Sequence, residues 1–454
     1  MSWKESYVGI AYLSVYVVAV WVLLVISFTR GTHWVYRLLW LVYAISATVC
    51  LLNVLFQEQL VGRGIMQDMW FDLSNTTWWS YGLLVLCCII AFRPLTSFDQ
   101  YSKFERFGIG GRQRQIVVVF AYTYVIVVAL YIGLSWGNIV SGLNVADFGD
   151  LRMATFANAD NESTASMSDN VFGSLFFRVS YQLRCLAMFL AFSLMRRKGR
   201  RLIAFLLAGS SSFIVYISSQ ITAARGGLIV YAICVLLIGM YSLRGIQKVT
   251  KKWIYISGGA SLFVVFTFFA RVTEERFGEE GSSGEIIRNI FFYMGHAPIE
   301  FSTITGSLNH LAWGEVIVGR IMNLYTGASY DWQQIQTDIG YPPIGPVFNT
   351  YLGYLYTDFG VVGCIAFVLV WARYMDHLLK VRQNYMSTLF LLGYYLHFFV
   401  TGLFAVGRLE FASVITAFGV HMGLRLLEMI CDWGKDDSIE ESRIWKKNPV
   451  CVTQ

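Results

Sequence analysis

The stretch Ser218–Leu237, SSQITAARGGLIVYAICVLL, lies inside an apolar run from Leu202 to Tyr241 whose one charged residue is Arg225. A helix needs about 20 apolar residues to cross a hydrocarbon core of about 30 Å. The run is therefore long enough for two crossings. A guanidinium at mid-bilayer costs about 3 kcal/mol even on the mildest insertion scales. Two hydrophobic helices joined by a tight hairpin at AARGG avoid that cost, because the turn puts Arg225 at the end of the pair.

The rest of the chain repeats this pattern. It has 454 residues, 56% hydrophobic and 14% charged, with mean hydropathy +0.54. A soluble domain carries about 25% charged residues, so the sequence predicts an all-α, polytopic membrane bundle over residues 1–454. Spans are expected near 8–28, 38–56, 78–92, 116–136, 183–195, 203–222, 227–243, 254–272, 361–379, 389–406 and 412–430. That is eleven, within a range of ten to twelve. The span at 183–195 is short and borrows from FFRVSYQLR before it. The first segment, VGIAYLSVYVVAVWVLLVISF, is too long for the apolar core of a signal peptide and is expected to remain as a span.

Basic residues set the sides. RPLTSFDQYSKFERFGIGGRQRQ, MRRKGRR, LRGIQKVTKKW and ARYMDHLLKVRQ fall in alternate connections, which the positive-inside rule makes cytoplasmic together with the tail 431–454. The N-terminus then comes out extracytoplasmic, on the side of two long loops at 137–182 and 273–360. After Lys4, every positive residue of that outer side is an arginine: Arg63, Arg152, Arg178, Arg184, Arg225, Arg271, Arg276, Arg288, Arg320 and Arg408. Positive-inside bias selects against them there. A guanidinium is planar, always charged and weakly hydrated, which suits two-pronged capture of a phosphate or carboxylate. Arg225 and Arg408 cap tight hairpins and Arg271 ends the span SLFVVFTFFAR, so these three are the foremost anion contacts. The plainer alternative pairs Arg408 with Glu410, and Arg271 with Glu274 or Glu275. Arg225 has no acidic neighbour in sequence.

Other candidates lie in the long outer loop, where apolar residues at helical spacing predict interfacial or re-entrant helices. Arg276, Arg288 and Arg320 are further substrate contacts. Tyr341, Tyr351, Tyr354 and Tyr356 are candidates for stacking on sugar rings, although tyrosine at a membrane interface is commonly a belt residue. His296, His310, Glu300, Asp331, Asp338 and Asp358 are the groups able to take a proton from an acceptor hydroxyl. Of these, His296 and Asp358 are carried forward, with Asp358 equally suited to be a helix-end carboxylate beside an arginine. The histidine spacing is not that of a metal pair, and the eight cysteines fall in spans or in the tail. No metal, cofactor, disulfide framework or nucleic-acid partner is expected.

Three stretches carry a resemblance. TAARGGLIVYAICVLL, PVFNTYLGYLYTDFGVVGCI and AVGRLEF resemble the arginine hairpin, the aromatic run ending in Phe-Gly after the main outer loop, and the late arginine turn of the Wzy-type polymerases, also called O-antigen or oligosaccharide repeat-unit polymerases. The likeness covers about residues 200–430. It implies an enzyme of lipopolysaccharide or capsule biosynthesis in the bacterial inner membrane, acting on the periplasmic side. Such a glycosyltransferase moves a growing glycan from undecaprenyl pyrophosphate to an incoming lipid-linked repeat unit. The implied partners are that lipid-linked oligosaccharide, the bilayer and a protein that regulates chain length. An O-antigen ligase would share the donor, and a lipid-linked oligosaccharide flippase would share the membrane setting. Against transport, charges inside the spans are scarce and the polar mass lies on one side.

Overall fold

Apolar runs of this length form helices because a backbone in hydrocarbon must satisfy its own N–H and C=O groups. The computed structural model describes residues 3–56, 73, 75–96, 111–143, 171–195, 198–221, 225–242, 251–252, 254–256, 267, 295–326, 329–342, 350–380, 386–403 and 408–432. Among the described residues there are α-helices and short 3₁₀ turns but no strand. The helices are α1 (Trp3–Thr29), α2 (Trp34–Leu55), α3 (Trp78–Phe92), α4 (Gly111–Leu134), α5 (Trp136–Leu143), α6 (Val171–Met195) and α7 (Arg201–Ile221). They continue as α8 (Arg225–Ser242), α9 (Ala297–Ser307), α10 (Ile317–Thr326), α11 (Trp332–Ile339), α12 (Gly353–Lys380), α13 (Met386–Thr401) and α14 (Arg408–Asp432).

Eight helices among the described residues are long and apolar enough to cross a membrane, and α8 and α13 are shorter apolar helices. The chain is a multi-pass, all-α membrane protein. One boundary is corrected. The span expected at 183–195 is the second half of α6, which begins at Val171 and so takes the last part of the loop read as 137–182. The span read at 254–272 and the tail after Asp432 lie almost wholly outside the described residues.

At the centre stands α13, every residue of which from Met386 to Val400 is buried. A helix apolar on all sides belongs in the interior. Trp371 of α12 packs edge-on against Tyr395 at 5.3 Å, and its ring lies 4.8 Å from that of Phe398. Tyrosine hydroxyls tie the layers together by donating to buried helix carbonyls: Tyr43 to Phe399 O at 2.8 Å, Tyr124 to Ser180 O at 3.0 Å, and Tyr395 to Ala91 O.

Side-chain contacts fix the direction of each helix. Gly227 and Gly239 of α8 lie beside Tyr181 and Phe192 of α6, so these two helices run parallel. Gly393 of α13 abuts Cys185, while His397 reaches Arg184, so α13 runs against α6. Ser387 near the start of α13 bonds Glu428 near the end of α14. The start of α8, the end of α13 and the start of α14 therefore share one end of the bundle, called the upper end below. Gly9 beside Leu73 and Thr76, and Ser302 beside Thr77, bring the start of α1 and the helix α9 to that same end. The lower end holds the Lys198–Arg200 turn, the end of α12 and the end of α14. Ser242 stands at the lower end and Gly295, beside Cys50 near the end of α2, at the upper.

Among its described residues, the segment read as the loop 273–360 forms three short helices at the upper end. α9 is inserted and not laid on the surface: Ala297 to Thr305 are all buried, against α2, α3 and α12. α10 lies against α12 and α14. α11 begins at the N-cap Asp331, whose carboxylate accepts from Gln333 N and Gln334 N, and ends at Gly340 with φ 70°.

Candidate functional site

Two of the three foremost arginines begin helices that share the upper end of the bundle. Arg225 is the first residue of α8 and Arg408 the first of α14, and both helices pack on α13 at the upper end. Each helix start also presents amide N–H groups without intrahelical partners and about half a positive charge. Two such starts with an arginine on each make an end of the bundle that favours an anion. Arg271, Arg276 and Arg288 lie outside the described residues.

Beneath this end is a buried polar layer that the sequence does not single out. Arg184 of α6 is 3% exposed, and its Nη2 lies 2.7 Å from His397 Nε2 on α13. Its guanidinium carbon is 3.7 Å from the centroid of the Tyr181 ring. A guanidinium only donates, so His397 Nε2 accepts and the neutral ring carries its proton on Nδ1. That buried Nδ1 has no hydrogen-bond partner among the described residues. Ser211 of α7 donates to Arg184 O at 2.8 Å and lies 2.5 Å from the Tyr231 hydroxyl on α8. Hydrogen bonds running from His397 through Arg184 and Ser211 to Tyr231 thus link four helices. A Cβ added at Gly227, two residues beyond Arg225, would stand 3.6 Å from the Tyr181 hydroxyl, so this layer begins directly under the α8 start.

Ionisable groups inside spans are expensive and mark functional positions by default. The sequence counts Arg184 with the loop arginines because it places the span border at 183. The signal that finds it is the i, i+4 pair Ser180 and Arg184 inside a helix that stays apolar to Met195, with Ser211 as the polar partner on the next span.

The remaining candidates separate clearly. Asp358, read as a base or as the partner of an arginine, is instead a helix cap. Its fully buried carboxylate accepts from Val316 N at 3.0 Å and Ile317 N at 2.7 Å, the amides at the entry to α10. Both oxygens are committed. His296 precedes α9 and is buried, with Nδ1 3.2 Å from Glu300 Oε2 one turn on. His310 and Asp338 are exposed. Arg320 is half-buried on α10, bonded to Asn323 Oδ1 at 2.8 Å and lying over the Tyr330 ring.

Three of the four tyrosines are packing residues in this structure. Tyr341, Tyr351 and Tyr354 are 5%, 0% and 1% exposed. Trp332 of α11 closes over Tyr341 and Tyr354, with ring centroids 5.3 and 5.9 Å away. Tyr351 lies within the bundle, its hydroxyl 3.2 Å from Cys88 Sγ. Their faces meet other aromatic rings, which leaves no open platform for a sugar. Tyr356 is half-buried between Trp79 and Phe301.

No protein-family model, no curated protein and no solved structure matches the chain.

Proposed function

We propose that this chain is a membrane glycosyltransferase of the polysaccharide polymerase type, using an oligosaccharide carried on a polyprenyl diphosphate. In this reading a hydroxyl oxygen of the incoming unit attacks the anomeric carbon of the donor glycan. The bond from that carbon to the phosphate oxygen breaks, the diphosphate leaves with the electron pair, and the hydroxyl proton passes to a base or to water. Arg225 and Arg408 hold the diphosphate as its charge grows, with Arg271 as a third contact, and Arg184 with His397 braces the floor beneath them. Arg276, Arg288, Arg320 and Tyr356 face the glycan. His296, held by Glu300, remains the candidate to take the proton, and Asp358 positions α10.

One observation carries the proposal: the two hairpin arginines begin helices that flank a single buried helix at one end of the bundle. A lipid diphosphate arrives with its tail in the bilayer and its charge at the interface, which is where such an end lies. Donors fixed in advance at a developing charge are worth about 3–4 kcal/mol of barrier each, or a rate factor of about 10² to 10³. The donor is already activated, so the reaction needs no nucleotide sugar. The upper end is assigned to the periplasmic face of a bacterial inner membrane.

The test is the surface glycan of cells whose sole copy carries Arg225→Ala. The expected result is the loss of long chains, one repeat unit left on the lipid A core, and unchanged protein in the membrane. Bare core without that unit would favour a ligase or a flippase, and normal chain length would remove Arg225 from the site.

A further inference from the structure

The turn ahead of α10 holds the clearest local contradiction in the structure. Trp313 has φ 49°, the one non-glycine residue with positive φ among the described residues, and it is 78% exposed. A bulky side chain in the left-handed region costs about 1–2 kcal/mol, and here it shields no core. The turn is held from behind. Ala312 N donates to Thr357 O at 2.8 Å, and Asp358 caps the helix that follows. A rigid mount thus presents an indole outward.

Its neighbours say what the indole meets. Phe359 of α12 lies 3.7 Å from the position a Cβ on Gly314 would take, and Val318 lies 3.5 Å from it. Phe359 opens the outward stripe of α12, which continues through Val362 at 79% and Leu369 at 47% exposure. On a membrane-spanning helix that stripe faces lipid. Phe359 and Val318 meet at the Gly314 turn, and Met322, one helical turn beyond Val318 on α10, is likewise exposed and apolar. Indole rings collect at the border of headgroups and acyl chains, where one edge is apolar and the other wet.

We infer that Trp313, Val318 and Met322 sit in the headgroup–acyl boundary of the bilayer, so that α10 is anchored to the lipid at the upper end. The anchor is independent of the reaction proposed above. It fixes α10, with Arg320 on it, to the membrane surface beside α12 and α14.

The test is a depth measurement on the full chain in vesicles of phosphatidylethanolamine and phosphatidylglycerol. A nitroxide is attached through Trp313→Cys, with Cys431 and Cys451 replaced by Ser, and calibrated by Val362→Cys and Asp338→Cys. The expected result is relaxation by oxygen over aqueous nickel chelate at 313, as at 362 and opposite to 338. A label at 313 that behaves like the one at 338 overturns the inference and leaves the indole as a surface for glycan. Photoactivated lipid on the unaltered chain gives a second readout free of any folding defect. Adducts at Trp313, Val318 or Met322 support the anchor, and adducts confined to α12 overturn it.

Discussion

Gly360 holds φ 62° and ψ −158°, a backbone state open essentially to glycine alone, where the helical turn from Gly353 meets the long span of α12. An added Cβ would also stand 3.2 Å from Leu311 Cδ1. Gly360→Ala should therefore lower stability by about 1–3 kcal/mol, read as an earlier thermal transition of the purified protein in detergent. An unchanged transition would mean that the kink relaxes without cost. The Phe-Gly at this point is visible in the sequence as the end of an aromatic run. Its neighbour Asp358 is not legible in the same way, because its amide partners lie 41 and 42 residues earlier in the chain. Arg184 and His397 are 213 residues apart. Local pattern can mark Arg184 as a charge inside a span but cannot show His397 as its partner, which only the fold supplies.

At the scale of elements, α10 depends on one carboxylate from another helix. Hydrogen bonds to charged groups are worth about 1.5–3 kcal/mol, and a buried amide left without an acceptor costs about 1–3 kcal/mol. Asp358→Ala should loosen α10 and lower both stability and glycan chain length. Asp358→Asn keeps one acceptor oxygen of the two and should fall between Asp358→Ala and the wild type in both. If Asp358 were the base, Asn would abolish chain extension while the thermal transition stayed put, so the two variants measured together separate a cap from a proton acceptor. The spans were largely legible because length and hydropathy decide them. The burial of Tyr341 and Tyr354 was not, since it depends on Trp332 of α11 folding back over them. Aromatic runs look alike in sequence whether they face lipid, sugar or one another.

Across the whole molecule, the starts of α1, α8, α12 and α14 share the end that carries α9, α10 and α11, and the Lys198–Arg200 turn and the ends of α12 and α14 fall at the other. Alternation of positive charge along the sequence predicts the same grouping of helix starts. What alternation does not give is which helix lies between the two hairpins, and the interior position of α13 supplies it. Joint capture of a lipid diphosphate by Arg225 and Arg408 at this end is tested most directly by binding of undecaprenyl pyrophosphate to the purified protein, compared with undecaprenol, by native mass spectrometry of wild type, Arg225→Ala, Arg408→Ala and the double variant. Loss of one charged hydrogen bond worth about 1.5–3 kcal/mol weakens binding about 10- to 150-fold. The account predicts such a loss for each arginine, selective for the diphosphate and larger in the double variant. Diphosphate binding that is unchanged in the double variant, or no stronger than that of undecaprenol in wild type, would contradict it.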